Sequence, residues 1–166
     1  MGGMMEWLEH VAKACESVER HQLESWLSSR LKGVVSFDGT KVCNMITNAG
    51  INAIVSALCN VNRANSRLVK PIFQIEQFGA STSVTAPNKN DTTLGGSVSY
   101  RMCEQVDSVG KKMVVSNFIG QPEFNFNWKK VGLFLSTGQL FCIAQVNEAK
   151  TSQVAKTVLW EIEFTG

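Results

Sequence analysis

The side chains of this 166-residue chain that could do chemistry are two histidines, five cysteines and a pair of close glutamates. His10 and His21 fall in a stretch without Gly or Pro that reads as one helix. At ~1.5 Å of rise per residue they would share a face about 16 Å apart, too far to chelate one metal ion. Both read as surface or interface histidines, and a Ser-His-Asp or Cys-His centre built on them would have to span two subunits. Glu161 and Glu163 sit two apart on one expected strand, a spacing with a superficial likeness to paired glycosidase carboxylates. Polar alternation on a solvent-facing strand accounts for them without catalysis. Cys15, Cys43, Cys59, Cys103 and Cys142 show no zinc-ligand spacing. Glu6, Glu9 and Lys13 interrupt any signal-like apolar run, so the expected setting is a reducing cytosol with the thiols acting as small buried hydrophobes. Gly2-Gly3 and Gly95-Gly96 lack the Lys-Ser/Thr pair of a phosphate loop. No catalytic residue, metal or cofactor is expected.

Composition narrows the function classes further. Hydrophobic residues make up 44% of the chain and charged ones 18%, against about 25% charge in ordinary soluble domains. A shortage of charge suits buried partner surfaces. The net charge of +2 is too mild for a nucleic-acid binder, and the pairs Lys111-Lys112 and Lys129-Lys130 read as solvated turns. No apolar run is long enough to span a membrane.

The elements that must position these residues divide into a helical front and a strand-rich body. From Met5 to Leu31, apolar residues recur at three- and four-residue steps, predicting one long amphipathic helix ended by Gly33. Two readings of its stripe stand side by side. It packs on its own domain, or residues 1–33 form an arm that docks on a neighbouring subunit through Leu8, Val11, Val18, Leu23, Trp26, Leu27 and Leu31. Residues 34–166 then form a β-sandwich domain, with a lead-in helix near 48–61 capped by Thr47 or Asn48. Seven or so short strands with hairpin turns follow, so the expected fold is mainly β, an antiparallel, jelly-roll-like β-sandwich preceded by helices. "SVSYRMCEQV" reads as one strand, and "EFNFNW" as another with Phe124, Phe126 and Trp128 on one face. "GQLFCIAQV" groups Leu140 with Cys142, Ala144 and Val146, and "KTVLWEIEF" groups Val158, Trp160, Ile162 and Phe164. The predicted core is therefore Phe124, Phe126, Trp128, Leu133, Leu140, Cys142, Trp160 and Ile162.

Four blocks in order, "ITNAGINAIVSAL", "FGASTSVTAPNKNDTTLGGSVSYR", "KVGLFLSTGQLFCIAQV" and "AKTSQVAKTVLWEIEFTG", cover Ile46 to Gly166. This run resembles a family of tailed-bacteriophage virion proteins, known as tail or structural proteins. The matching positions are Thr47 to Gly50, Thr85 to Leu94, Gly132 to Phe134, Gly138 to Leu140, Lys150-Thr151 and Trp160 to Phe164. The chain departs at Gly79-Ala80-Ser81, where similar proteins tend to carry Gly-Thr-Gly. The resemblance implies a non-enzymatic assembly part with a β-sandwich body, either a capsid cement or decoration protein or a tail ring or adaptor subunit. Its implied partners are other copies of itself and capsid or tail proteins, with no nucleic acid or membrane. Its implied location is the virion, after synthesis in the host bacterial cytoplasm. The alternative is a carbohydrate-binding module using Phe124, Phe126 and Trp128 as a host-glycan platform.

Overall fold

The computed structural model describes residues 2–15, 19–62 and 73–165. In chain order the elements are α1 (Gly2–Ala14), α2 (Arg20–Arg30), β1 (Leu31–Phe37), β2 (Thr40–Ile46), α3 (Asn48–Asn62), β3 (Ile75–Ser81), β4 (Val98–Met102), β5 (Gln105–Val109), β6 (Lys112–Ile119), β7 (Asn127–Leu135), β8 (Leu140–Ala149) and β9 (Lys156–Phe164). The strands make one sheet in the order β4-β3-β7-β8-β2-β1-β9-β6-β5, antiparallel at every step.

This sheet is curled, and two distances require it. Phe78 of β3 and Trp160 of β9 have ring centroids 6.4 Å apart, yet their strands lie five steps apart in the order, which in a flat sheet is ~24 Å at about 4.8 Å per step. The outermost strands β4 and β5 are also joined only by Cys103 and Glu104, so their ends lie within about 11 Å at 3.8 Å per residue step. Eight direction reversals leave β4 and β5 running the same way. They are two halves of one bent strand, the first paired with β3 and the second with β6. The single strand expected over "SVSYRMCEQV" is therefore corrected to two, split at a corner where the chain changes partners.

The inside of the curl holds the main core, which runs from Val35 and Phe37 through Phe78, Val115, Trp128, Leu133 and Cys142 to Trp160 and Ile162. All three helices join it. Leu8 and Val11 of α1, Leu23 and Leu27 of α2, and Ile51, Ile54, Val55 and Leu58 of α3 are buried there. Trp7 stacks on Phe73, which meets Phe141 edge-on. The single long helix is corrected accordingly: two helices are present, and Leu31 opens β1 instead of closing a helix. The stripe Leu8, Val11, Leu23, Leu27 and Leu31 is buried in the chain's own core, with Trp26 half-buried against Phe164. These side chains do not form a free docking stripe. The apolar surface that would have gone to a neighbour is already removed from water. Val18 lies outside the described residues.

Three further expectations change. Phe124, at φ +52°, and Phe126 precede β7 in a loop instead of a strand; they are half-buried against the core while Asn125 and Asn127 are exposed, so the expected alternation holds outside regular pairing. Leu140 is fully buried but on the opposite side of the sheet from Cys142, in a satellite cluster with Leu94, Phe134 and Ile143. The cause is a bulge: Leu133 pairs with Cys142 and Phe134 with Leu140, leaving Phe141 as the extra residue. Lys129 and Lys130 are inside β7, not in a turn, and Lys130 is buried. No helix among the described residues is long and apolar enough to cross a membrane.

Candidate interaction surface

The titratable groups singled out in the sequence are kept apart. His10 lies on α1, its Nδ1 2.9 Å from the Glu6 carbonyl, and His21 is exposed on α2 beside Glu19. Lys112 Nζ donates to Glu161 at 2.6 Å, and that bond holds the carboxyl below its ordinary range. This is the reverse of what a general acid needs. Glu163 is paired in register with Lys32 and Lys112, so both glutamates face cations. Among the described residues, no group of three or more His, Cys, Asp or Glu side chains could hold a metal ion. Burial pushes the Cys15 and Cys103 thiols up to about 11 and Cys142 further, while Cys43 is exposed.

The most elaborately built surface feature is the segment 82–97, longer than the ~12–15 residues usual for a loop without secondary structure. It crosses the outer face of β3, β7 and β8 and is tied at both ends and at its tip. At the base, Thr82 N–H donates to the Ser97 carbonyl and Ser97 N–H to Thr82 Oγ1, both at 3.2 Å, while Ser81 Oγ donates to the Gly95 carbonyl. Gly95 and Gly96 follow one another at φ +69° and +64°, a left-handed turn that side chains resist. At the tip, Asn88, Asn90 and Asp91 close on one another, and the tip docks on the start of α3. Asn48 N–H donates to the Lys89 carbonyl at 2.8 Å and Asn48 Nδ2 to Asn90 Oδ1 at 2.6 Å. Lys89 Nζ reaches Ser28 Oγ of α2 at 3.1 Å.

Between base and tip, Leu94 is fully buried. It enters the outer face because Gly79 and Gly132 leave room. A methyl on Gly79 would sit 3.2 Å from Leu94 Cδ1, and one on Gly132 2.9 Å from Leu94 Cδ2. Leu94, Phe134, Leu140 and Ile143 then form the satellite cluster under the loop. Thr47 holds the other side: its Oγ accepts from Gly50 N–H at 3.0 Å, capping α3, and donates to the Leu140 carbonyl.

A second built corner surrounds Lys150, whose side chain is buried. Its ammonium donates to the Asn125 Oδ1 at 2.9 Å and to the Gln121 and Thr151 carbonyls at 3.1 Å. Burial holds it below the usual lysine range against the opposing pull of Glu123. Together with Trp128 Nε1, which donates to the Phe124 carbonyl at 3.0 Å, it fixes the loop 120–126. Arg101 ties this loop to the sheet corner through Glu123 and Glu104.

The sequence blocks quoted above therefore converge on scaffolding. Asn48 anchors the loop, Thr47 caps α3 and ties it to β8, Gly132 and Leu140 seat the loop, Lys150 fixes its neighbour, and Trp160, Ile162 and Phe164 line the core. What the sequence did not reveal is the docking of "NKND" on Asn48. The Asn88-to-Asp91 turn chemistry was its only local sign. No family model, curated protein or solved structure matches the chain.

Proposed function

We propose that this chain is a non-enzymatic structural subunit of a tailed-phage virion, with a sandwich-like body that assembles by protein–protein contacts as a capsid cement or decoration protein or as a tail ring or adaptor. The observation that carries this reading is the immobilised loop 82–97, pinned by Leu94, Asn48 and the Gly95-Gly96 base onto a rigid sheet. A loop ordered before it meets a partner avoids the entropy of ordering at the interface, about 0.5–1.5 kcal/mol per immobilised side chain. That saving is repeated in every copy of a particle. The buried helical stripe removes the N-terminal arm as the docking element, so contacts fall to the sheet body and this loop.

Glycan binding through the row Phe124, Phe126 and Trp128 is less well supported, since Trp128 is fully buried and the two phenylalanines stack 6.4 Å apart while packing on the core. The test is mass spectrometry of purified particles from the producing host, with the expected result a constant copy ratio to the major capsid or tail protein. A Leu94→Asp chain, which unseats the loop, should load at least tenfold less. Recovery of the protein only in the particle-free fraction would refute the proposal.

A further inference from the structure

A curled sheet that does not close leaves two edges, and this one treats them differently. The β5 edge is covered by α1, whose Gly3 is so close that a methyl there would sit 2.8 Å from the Ser108 backbone nitrogen. The β4 edge is paired with no further strand among the described residues. Thr82 N–H bonding to the Ser97 carbonyl and Cys103 N–H to the Glu76 carbonyl set the ladder phase on both sides of β4. In an antiparallel ladder the bonded pairs alternate, so Ser99 and Arg101 turn their peptide groups toward β3, and Val98, Tyr100 and Met102 turn theirs outward. The same three residues carry their side chains on the outer face, where Tyr100 is 50% and Met102 56% exposed. Tyr100 meets Phe134 edge-on at 5.3 Å, continuous with the satellite cluster. Natural edges are blunted by short length, charge, Pro or a bulge; β4 is short and carries one charge, Arg101, but "VSYRM" has no Lys, Pro or bulge.

We infer that the β4 edge pairs with β4 of a second copy, antiparallel, about a two-fold axis at Tyr100. The sequence is self-complementary for this arrangement. Val98 falls opposite Met102 of the second copy, Tyr100 opposite Tyr100, and Met102 opposite Val98, so apolar meets apolar at each outward position. Each of these facing pairs exchanges two backbone hydrogen bonds. The only charge on the strand, Arg101, is neutralised within its own chain by Glu104 and Glu123 and leaves no like-charge clash at the seam. A seam this short suits a weak contact that a symmetric particle reinforces by repetition. The inference rests on the assembly reading and supplies one of its interfaces.

The test is sedimentation velocity on the full chain across 1–500 µM, with a crosslink to locate the seam. The wild-type chain should pass from monomer to dimer within that range. Tyr100→Lys should shift the midpoint at least tenfold upward while the monomer stays folded with an unchanged far-ultraviolet spectrum, its melting temperature lowered only slightly by loss of the Phe134 contact. In a Cys43→Ser background, Tyr100→Cys should oxidise to a disulfide-linked dimer, because facing hydrogen-bonded residues lie about 5.5 Å apart at Cα, inside disulfide range. A monomer at every concentration refutes the pairing, as does a dimer that Tyr100→Lys leaves intact. If Tyr100→Lys abolishes particle loading of a chain that stays monomeric, the edge takes a strand from another protein and self-pairing is refuted. Each of these results leaves the copy-ratio test of the virion reading standing on its own.

Discussion

Two buried tryptophans of the same core should respond unequally to the same substitution. Trp128 and Trp160 are both fully buried, and each ring lies near Phe78, at 5.8 and 6.4 Å. Their indole N–H groups differ. Trp128 Nε1 donates to the Phe124 carbonyl at 3.0 Å, whereas Trp160 Nε1 is buried with no partner among the described residues. Trp→Phe removes a similar apolar volume at both sites, so that term largely cancels in a comparison. At Trp128 the change forfeits a hydrogen bond worth about 0.5–1.5 kcal/mol, and at Trp160 it relieves an unmet donor costing about 1–3 kcal/mol. Trp128→Phe should therefore be the more damaging by roughly 2–4 kcal/mol, since the two effects add in the comparison. The assay is urea unfolding of both single variants followed by circular dichroism, read as midpoints with unchanged slopes. Equal losses, or a larger loss for Trp160→Phe, would refute the unmet donor at Trp160.

Other consequences can be measured alongside. Leu94→Ala should cost up to about 2–5 kcal/mol, and hydrogen exchange should rise over 82–97 while the amides of β1, β6 and β9 stay protected, because the satellite cluster is separate from the main core. Maleimide at pH 8 should modify Cys43 well before Cys15, Cys103 or Cys142, as peptide mapping would read: with thiols near 11, only ~0.1% of Cys15 or Cys103 is thiolate there. The Glu161 carboxyl is held low by Lys112, so its contribution is present above its ordinary value of 4.5 and is lost as pH falls through the depressed folded value. Glu161→Gln should therefore flatten the acid side of the stability profile, by under ~1 kcal/mol for this partly exposed pair, and an unchanged acid slope would remove the pair from the ledger.

Local signals in the sequence reached as far as parity and turns allow. The hairpin β7–β8 turns at Gly138 and β5–β6 at Gly110, both at positive φ, and Val158, Trp160, Ile162 and Phe164 all face the core as their alternation requires. The α3 cap at Thr47 was one of the two residues expected. The β1–β2 hairpin went unread although Asp38-Gly39, at φ 48° and 95°, is a strong turn signal between Val35, Phe37 and Val42. The helical periodicity before it ran to Leu31 and masked the strand start. Bulges defeat parity by construction: one extra residue at Phe141 sends Leu140 to the outer cluster although it is two positions from Cys142. The loop's polarity was legible, while its seat depended on Gly79, Gly132 and Asn48, which come from three separate parts of the chain.

The bent strand β4–β5 explains why the two edges differ. Had residues 98–109 run straight, one strand could have paired with β3 on one side and β6 on the other, closing the sheet into a barrel without edges. The corner at Cys103–Glu104 prevents this. Glu104 accepts the Phe118 N–H at 3.2 Å and pairs with Arg101, which also grips Glu123 of the 120–126 loop. Side chains thus fill part of the space that backbone pairing would have used, and the outward peptide groups of β4 are left over. Because the corner, the 120–126 loop and Lys150 form one connected polar network, loosening it would let β4 shift toward β6 instead of toward a partner. Among the described residues the unpaired edge is therefore a product of built contacts, and its apolar residues are held at one phase, side by side on the surface that the loop 82–97 also occupies.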